Sequence, residues 1–534
     1  MISEFTSDRP ASRMFNRLQF RIAALVTSGL CVVAATEAWQ VSLETGSMAA
    51  RIAAAAVAGF GVWVGLSAFL PVLVTGPLRR IRPLERLWRN LERLDEQDRG
   101  RRQTMVGLAA ALAIWGATCF AANVFGHALA PPPVSVDDQG AYLQRAEWIK
   151  RPEGALYTFP SLFSDMRSGR YREANRHPLY LAFLSIRPDE SWGRSLSWSF
   201  GIAGLLTGTW MVWRRFSPLA AGIFAILVGL NFNLGQFSVM VVCETLLIWI
   251  VSLSYFVLLP PYSASRSLGR RRLRIFLASF LLGLAYMTKG TGLVFFVVFV
   301  VWLAWVSRPR RSDVDIPDDV EEQAVISLTE AYPFRQWIIA MMLGLIGFVM
   351  VSAPLLERNM RLYGNPFYNV NTLLLFADDY SQFENMLMGG VTPEEAAESF
   401  FNRHTIGQLI DRELRGLVWE AFIMLRTLGP QGLDDGRVLF GAPIALCAAI
   451  GLWFERRPAK WLLINWILVS WIMFAWYVPI AAGDRFPIPL LLPVLGHAAD
   501  GMARLLKALR MPSVAVPVPD AIERVNDGLA AERG

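Results

Sequence analysis

The chain has 534 residues, 54% of them hydrophobic, and 19 Trp; this is far more apolar material than one soluble core needs, which excludes a single soluble globular domain and indicates a multi-span membrane protein. The formal net charge of +7 does not imply nucleic acid, because the arginines cluster in short blocks between apolar segments, as loops facing anionic lipid do. Membrane lipids are the expected partners of that basicity.

Segments of about 20 apolar residues recur near 22–38, 50–75, 104–130, 193–213, 218–236, 242–260, 275–289, 291–307, 336–354, 437–454, 461–481 and 486–507. The expected fold is therefore an all-α polytopic membrane protein of about twelve transmembrane helices. The first segment is flanked by Arg9, Arg13, Arg17 and Arg21, yet lacks a small-residue cleavage site, so it reads as an uncleaved anchor. Between the second and third segments Leu84, Leu87, Trp88, Leu91 and Leu94 recur at helical spacing among arginines, the pattern of a helix on the inner leaflet.

Residues 1–103 thus form a first region of two spans and a basic linker, 104–510 the main transmembrane domain, and 511–534 a polar cytoplasmic tail. The basic blocks at Arg79 to Arg102, Arg214 and Arg215, Arg266 to Arg274, Arg308 to Arg311, Arg456 to Lys460 and Arg504 to Arg510 all fit the cytoplasm if both termini lie there. The segments beginning at Pro131, Gly235, Lys289, Leu355 and Ala482 then face the other side. The longer ones, Pro131 to Glu190 and Leu355 to Gly436, are too polar to span and fit short interfacial helices. Leu414 to Leu428 is ambiguous, and an interfacial helix keeps Arg456 and Lys460 on the basic side.

Those five segments hold the unusual motifs. Asp137 and Asp138 lie side by side after the third span; a carboxylate beside a membrane cavity can take a proton from a hydroxyl or hold a divalent cation, while Ser135 with Asp138 also matches a helix-capping pattern. Arg176 and His177 precede a Pro-fixed turn back into the membrane. Glu244 stands at the start of an apolar span, where a charge is costly unless partnered or favoured by the helix dipole. Lys289 and its glycines interrupt two short apolar segments, offering an ammonium and backbone N–H groups to an anion or simply snorkelling. Arg358 and Arg485 follow at the same level, and a guanidinium can grip phosphate with two parallel N–H bonds.

Asp313 and Asp315 form a D-x-D in an acidic loop and read as a solvated charge run. No G-x-G-x-x-G follows a strand, which leaves a nucleotide-sugar donor without a seat. The histidines are dispersed at His127, His177, His404 and His497, unlike a His-rich zinc site. The cysteines Cys31, Cys119, Cys243 and Cys447 show neither a C-x-x-C nor a disulfide framework. Mg²⁺ or Mn²⁺ on the carboxylates stays open as a cofactor, and no other is indicated.

In order, D-x-x-x-Y at Asp138 to Tyr142, H-P-L-Y at His177, an acidic residue at Glu244, G-L-x-x-x-T-K-G at Gly283, R-N-x-x-x-Y-G-N-P at Arg358 and R-F-x-x-P at Arg485 resemble the membrane glycosyltransferases of the C-type (GT-C) fold. That family includes the protein O-mannosyltransferases and the aminoarabinose transferases of lipid A. The resemblance covers roughly Thr104 to Met502 and leaves the two N-terminal spans outside. It implies a transferase that takes a sugar from a polyprenyl-phosphate donor at the extracytoplasmic face, with inversion, and gives it to a hydroxyl on a glycan, lipid or protein.

By the same resemblance Asp138 is the general base, Asp137 a candidate assistant and Glu244 part of the pocket. Lys289, Arg358 and Arg485 are candidates for the lipid phosphate, and Tyr142, His177, Tyr363 and Asn365 for the substrate pocket. Composition suggests a bacterial inner membrane, with undecaprenyl phosphate as the carrier and the site facing the periplasm or exterior. A transporter or flippase of lipid-linked glycans, with Glu244 and Lys289 as relay or clamp, is the rival reading; the single broken helix pair at Lys289 has no counterpart in the other half of the chain. A noncatalytic scaffold is a second rival.

Overall fold

A computed structural model describes residues 106–134, 138–150, 155–260, 268–308, 334–430, 437–481 and 483–510. The N-terminal spans, the basic linker, Asp137, the loop with Asp313 and Asp315, and the tail lie outside the described residues. Among the described residues regular structure is helical, apart from one isolated bridge between Asn231 and Pro430.

In chain order the helices are α1 (Val106–Leu129), α2 (Asp138–Ile149), α3 (Ala155–Ser168), α4 (Pro178–Leu184), α5 (Glu190–Arg215), α6 (Pro218–Gly229), α7 (Phe232–Phe237), α8 (Glu244–Leu258) and α9 (Leu268–Thr288). There follow α10 (Thr291–Ser307), α11 (Phe334–Tyr363), a 3-10 turn (Val370–Phe376), α12 (Tyr380–Met388), α13 (Pro393–Arg403), α14 (Ile406–Leu428), α15 (Arg437–Phe454), α16 (Ala459–Ala475), α17 (Val478–Ala481) and α18 (Leu491–Arg510). Candidate spans from residue 104 onward coincide with helices, except that 218–236 is divided between α6 and α7 and 461–481 between α16 and α17. By length and composition α1 and α11 can cross a membrane, while α6, α8, α10, Phe440–Phe454 and α16 are shorter apolar helices.

Small residues let the bundle close. A methyl on Gly116 would strike the backbone of Ala225, joining α1 to α6, and one on Gly501 would strike Cys447, joining α18 to α15. The exterior is apolar: Ile114, Trp115 and Phe125 on α1, and Trp198, Leu206, Trp210 and Trp213 on α5, are exposed, a surface that suits lipid contact.

The two ends of the bundle differ. At one, Arg457 donates to the carbonyls of Arg215 and Pro260, and Trp302 to that of Pro458, so the basic turns gather there. At the other lie the polar segments, tied by Arg194, which donates to the carbonyls of Val239 and Pro132. The 3-10 turn, α12 and α13 add a small core of their own around Val370, Leu373, Phe383 and Ala396.

Helix α14 makes its named contacts at this second end. Arg412 donates to the carbonyl of Trp476 just after α16, and Asn231, just after α6, donates to that of Thr427. Gly416 abuts Ala475, and Leu425 abuts Gly441 near the start of α15. Successive turns of α14 therefore meet the end of α16, the turn after α6 and the start of α15.

Helix α11 differs from expectation. It continues through Pro354 to Tyr363, so Leu355 to Tyr363 extend the helix of the span itself rather than forming a separate short helix. Leu, Glu, Met and Arg favour helix there, and Glu357 pairs with Arg361 at i,i+4 across 3.1 Å.

Candidate functional site

Asp138 opens α2 and Glu244 opens α8, where the positive ends of the helix dipoles favour carboxylates. Two contacts bring them together. Gln139 Oε1 accepts from the Val241 N–H at 2.9 Å, and the Tyr142 hydroxyl, one turn after Asp138, donates to Cys243 Sγ at 3.1 Å. The free thiol of Cys243 is thus a packing partner beside Glu244.

Asp138 is held from both sides. Arg176 Nη2 donates to Oδ1 at 2.8 Å, and Arg485 Nη2 lies 2.7 Å from Oδ2. Lys289 Nζ donates to Glu244 Oε1 at 3.0 Å, and Arg485 Nε lies 3.5 Å from the same oxygen. Arg485 thus bridges the two carboxylates, and three cations surround two anions. Glu244 is 2% exposed, and its Oε2 is a buried acceptor with no hydrogen-bond partner.

Burial acts to raise the Asp138 pKa, but the charge and hydrogen bond of Arg485, then Arg176 and Lys289, hold it below the usual carboxylate value. At Arg485 burial lowers the pKa and the Glu244 and Asp138 charges more than reverse it, so the guanidinium stays charged. Burial, then the Arg358 charge, takes His177 down to about 4, so its ring is neutral at neutral pH.

The segment carrying Arg176 is itself anchored. Glu173 Oε1 accepts the N–H groups of Asn175 and Arg176 at 2.8 and 3.1 Å, while Oε2 pairs with Arg145 at 2.5 Å. The Arg176 guanidinium lies over the Tyr142 ring at 5.3 Å, and Tyr142 meets Tyr180 edge-on. The order of residues exposes Arg176 only as the basic residue before H-P; its partnership with Asp138 depends on how the α3–α4 segment folds back.

Arg358 does not join the two carboxylates. On the last turns of α11 it donates to the Glu173 carbonyl and to Asn359 Oδ1, and lies between the rings of Tyr171 and Tyr363. It is 3% exposed. Against the phosphate role expected of Arg358, three of its N–H bonds are already engaged, one on the α3–α4 segment and two on the adjacent Asn359. Tyr363 donates to the Arg172 carbonyl and stacks on Tyr368, and exposed Asn365 accepts from the Phe367 N–H in a turn.

His177 caps the start of α4 through its backbone, faces Tyr286 edge-on, and leaves Nδ1 without a partner. It lies between the two clusters, within reach of the Lys289 and Arg358 charges. The backbone cradle expected at Lys289 is only partly available: the Lys289 N–H donates to Ala285 and the Gly292 N–H to Lys289. The ammonium is the anion-facing group there.

A divalent cation fits this arrangement poorly. Both Asp138 oxygens and Glu244 Oε1 face cationic groups, and among the described residues no group of three or more His, Cys, Asp or Glu gathers. At the carboxylates, two arginines and one lysine already do the work of charge compensation.

No protein-family model and no curated protein matches the sequence. Two solved structures are similar to part of the chain. The crystal structure of the apo oligosaccharyltransferase of Archaeoglobus fulgidus has a TM-score of 0.39 and 12% identity, over 75% of this chain and 50% of that one. The oligosaccharyltransferase AglB of the same organism, in complex with an inhibitory peptide and a dolichol-phosphate, has a TM-score of 0.31 and 12% identity, over 73% and 53%. The chain spans about half the length of the solved structures it matches.

Proposed function

We propose that this chain is a membrane glycosyltransferase of GT-C type that moves a sugar from a polyprenyl-phosphate donor to a hydroxyl acceptor. The observation that carries the reading is the Asp138–Arg485 pair, 2.7 Å apart, with Lys289 one carboxylate away. Arg176, Lys289 and Arg485 against Asp138 and Glu244 leave one net positive charge, which suits a phosphodiester donor carrying one negative charge.

In the reaction the acceptor oxygen bonds to the anomeric carbon from the face opposite the phosphate, and the bond between that carbon and the phosphate oxygen breaks. The acceptor proton goes to Asp138. The bonding electrons leave with the phosphate, which gains one negative charge as Asp138 loses one. Arg485 and the free N–H bonds of Lys289 stabilise that leaving charge. Glu244 Oε2 accepts a hydroxyl of the sugar or acceptor.

Around this centre the reading places about twelve spans in a bacterial inner membrane, both termini in the cytoplasm and the site toward the periplasm or exterior. The carrier is undecaprenyl phosphate, and the acceptor an envelope glycan, lipid or protein. Mass spectrometry of envelope lipids after gene loss should show one lipid-linked sugar accumulating. Asp138→Asn should bind undecaprenyl phosphate but fail to clear that intermediate, whereas a flippase with this substitution would clear it normally.

A further inference from the structure

Arg176 and Arg485 grip the same carboxylate, but their surroundings differ. The Arg176 side chain is 13% exposed against 41% for Arg485. Arg176 is fixed at its backbone by Glu173 and over its guanidinium by Tyr142. Arg485 is shared between Asp138 and Glu244. If Arg485 leaves, each carboxylate keeps a cation of its own: Asp138 keeps Arg176, and Glu244 keeps Lys289.

We propose that a phosphate group on the lipid carrier withdraws Arg485 from Asp138, while Arg176 stays behind as the positioning residue that holds the carboxylate for the acceptor. This rests on the transferase reading above and adds to it an order of events. In the resting site Asp138 faces Arg485, Arg176 and Lys289, with Glu244 and Tyr142 alongside, and two guanidinium groups make it a weak base. Carrier binding removes one of them, so Asp138 gains basicity only when a donor is present. Water reaching an empty site meets a carboxylate with little tendency to take its proton.

The test uses the full chain in detergent with ¹³C-labelled aspartate. The carboxyl infrared band missing from Asp138→Asn reports the Asp138 protonation midpoint, with and without saturating undecaprenyl phosphate. Without it, Arg485→Gln and Arg176→Gln should each raise the midpoint by roughly one pH unit relative to wild type. With it bound, the Arg485→Gln difference should collapse and the Arg176→Gln difference persist. Comparing variants under the same condition cancels the carrier's own charge. Arg485→Gln should also weaken undecaprenyl phosphate binding about tenfold, and Arg176→Gln by less than about twofold.

An Arg485→Gln difference that survives carrier binding would overturn the exchange while leaving the phosphate site intact. Failure of wild type to bind undecaprenyl phosphate would remove the transferase reading and the exchange with it. Arg485→Met and Arg176→Met, which likewise remove the charge, serve if either glutamine variant does not fold.

Discussion

The Tyr142 hydroxyl and the Cys243 thiol meet at 3.1 Å, and each is one short step from a carboxylate of the site. Tyr142 stands one turn after Asp138, and Cys243 immediately precedes Glu244. With the Gln139–Val241 bond, this contact sets the spacing between α2 and α8. Tyr142→Phe keeps the ring under Arg176 and removes only the hydroxyl bond, which is worth about 1 kcal/mol. Transfer should fall roughly tenfold through misplacement of Asp138, with undecaprenyl phosphate affinity unchanged. A steady-state comparison checks it, and an equal loss in carrier binding would place Tyr142 in the carrier site instead.

Because cations already surround Asp138 and Glu244, transfer should survive prolonged treatment with EDTA. Added Mg²⁺ or Mn²⁺ should not raise the rate in the treated protein. Activity lost to the chelator and restored by either ion would mean that the carboxylates turn away from Arg485 and Lys289 when substrate binds.

Arg358 provides a contrast with Arg485. Its guanidinium is buried against Asn359 and the Glu173 carbonyl, and Glu173 in turn fixes the backbone of Arg176. Arg358→Gln should therefore destabilise the protein by about 1–3 kcal/mol through the polar groups it leaves unpaired. Thermal unfolding measures this, and undecaprenyl phosphate affinity should change less than about twofold in the folded fraction. A large loss of affinity at unchanged stability would return Arg358 to the phosphate.

These contrasts mark where the sequence is legible. The apolar runs from residue 104 onward locate α1, α5, α6, α8 to α11, α15, α16 and α18, because an apolar stretch satisfies its own backbone polar groups as a helix, whereas the short helices of the polar segments carry no such signal. Polar segments alternating with basic ones place Asp138, Glu244, Lys289 and Arg485 at one end, and their ion pairs follow from that shared placement. The direction of a side chain at a helix end is different in kind. Arg358 and Arg485 look alike in sequence, yet α11 runs past Pro354 and turns Arg358 inward. Arg176 likewise finds Asp138 only through a loop held by Glu173 and Arg358, contacts that no periodicity records.

Glu420 shows a further consequence of burial at this end of the bundle. It lies on the inward face of α14 with Gly416, Ile423 and Thr427, it is 1% exposed, and neither carboxyl oxygen has a hydrogen-bond partner. Burial, then the nearby Asp484 charge, raises its pKa from 4.5 to about 8, so the folded protein holds it neutral at pH 7. Asp484 is itself paired with Arg426 at 2.8 Å. Since the folded value exceeds the unfolded one, the contribution of Glu420 to stability is fully present below about pH 4.5 and declines as pH rises, being lost by about pH 8. Over that window unfolding releases its proton, so higher pH favours the unfolded chain. Glu420→Gln, which cannot ionise, should flatten this part of the stability profile. Thermal midpoints in detergent at successive pH values should fall for wild type relative to Glu420→Gln as pH rises toward 8; parallel curves would show that Glu420 is already ionised in the folded protein and has found a cation to hold it.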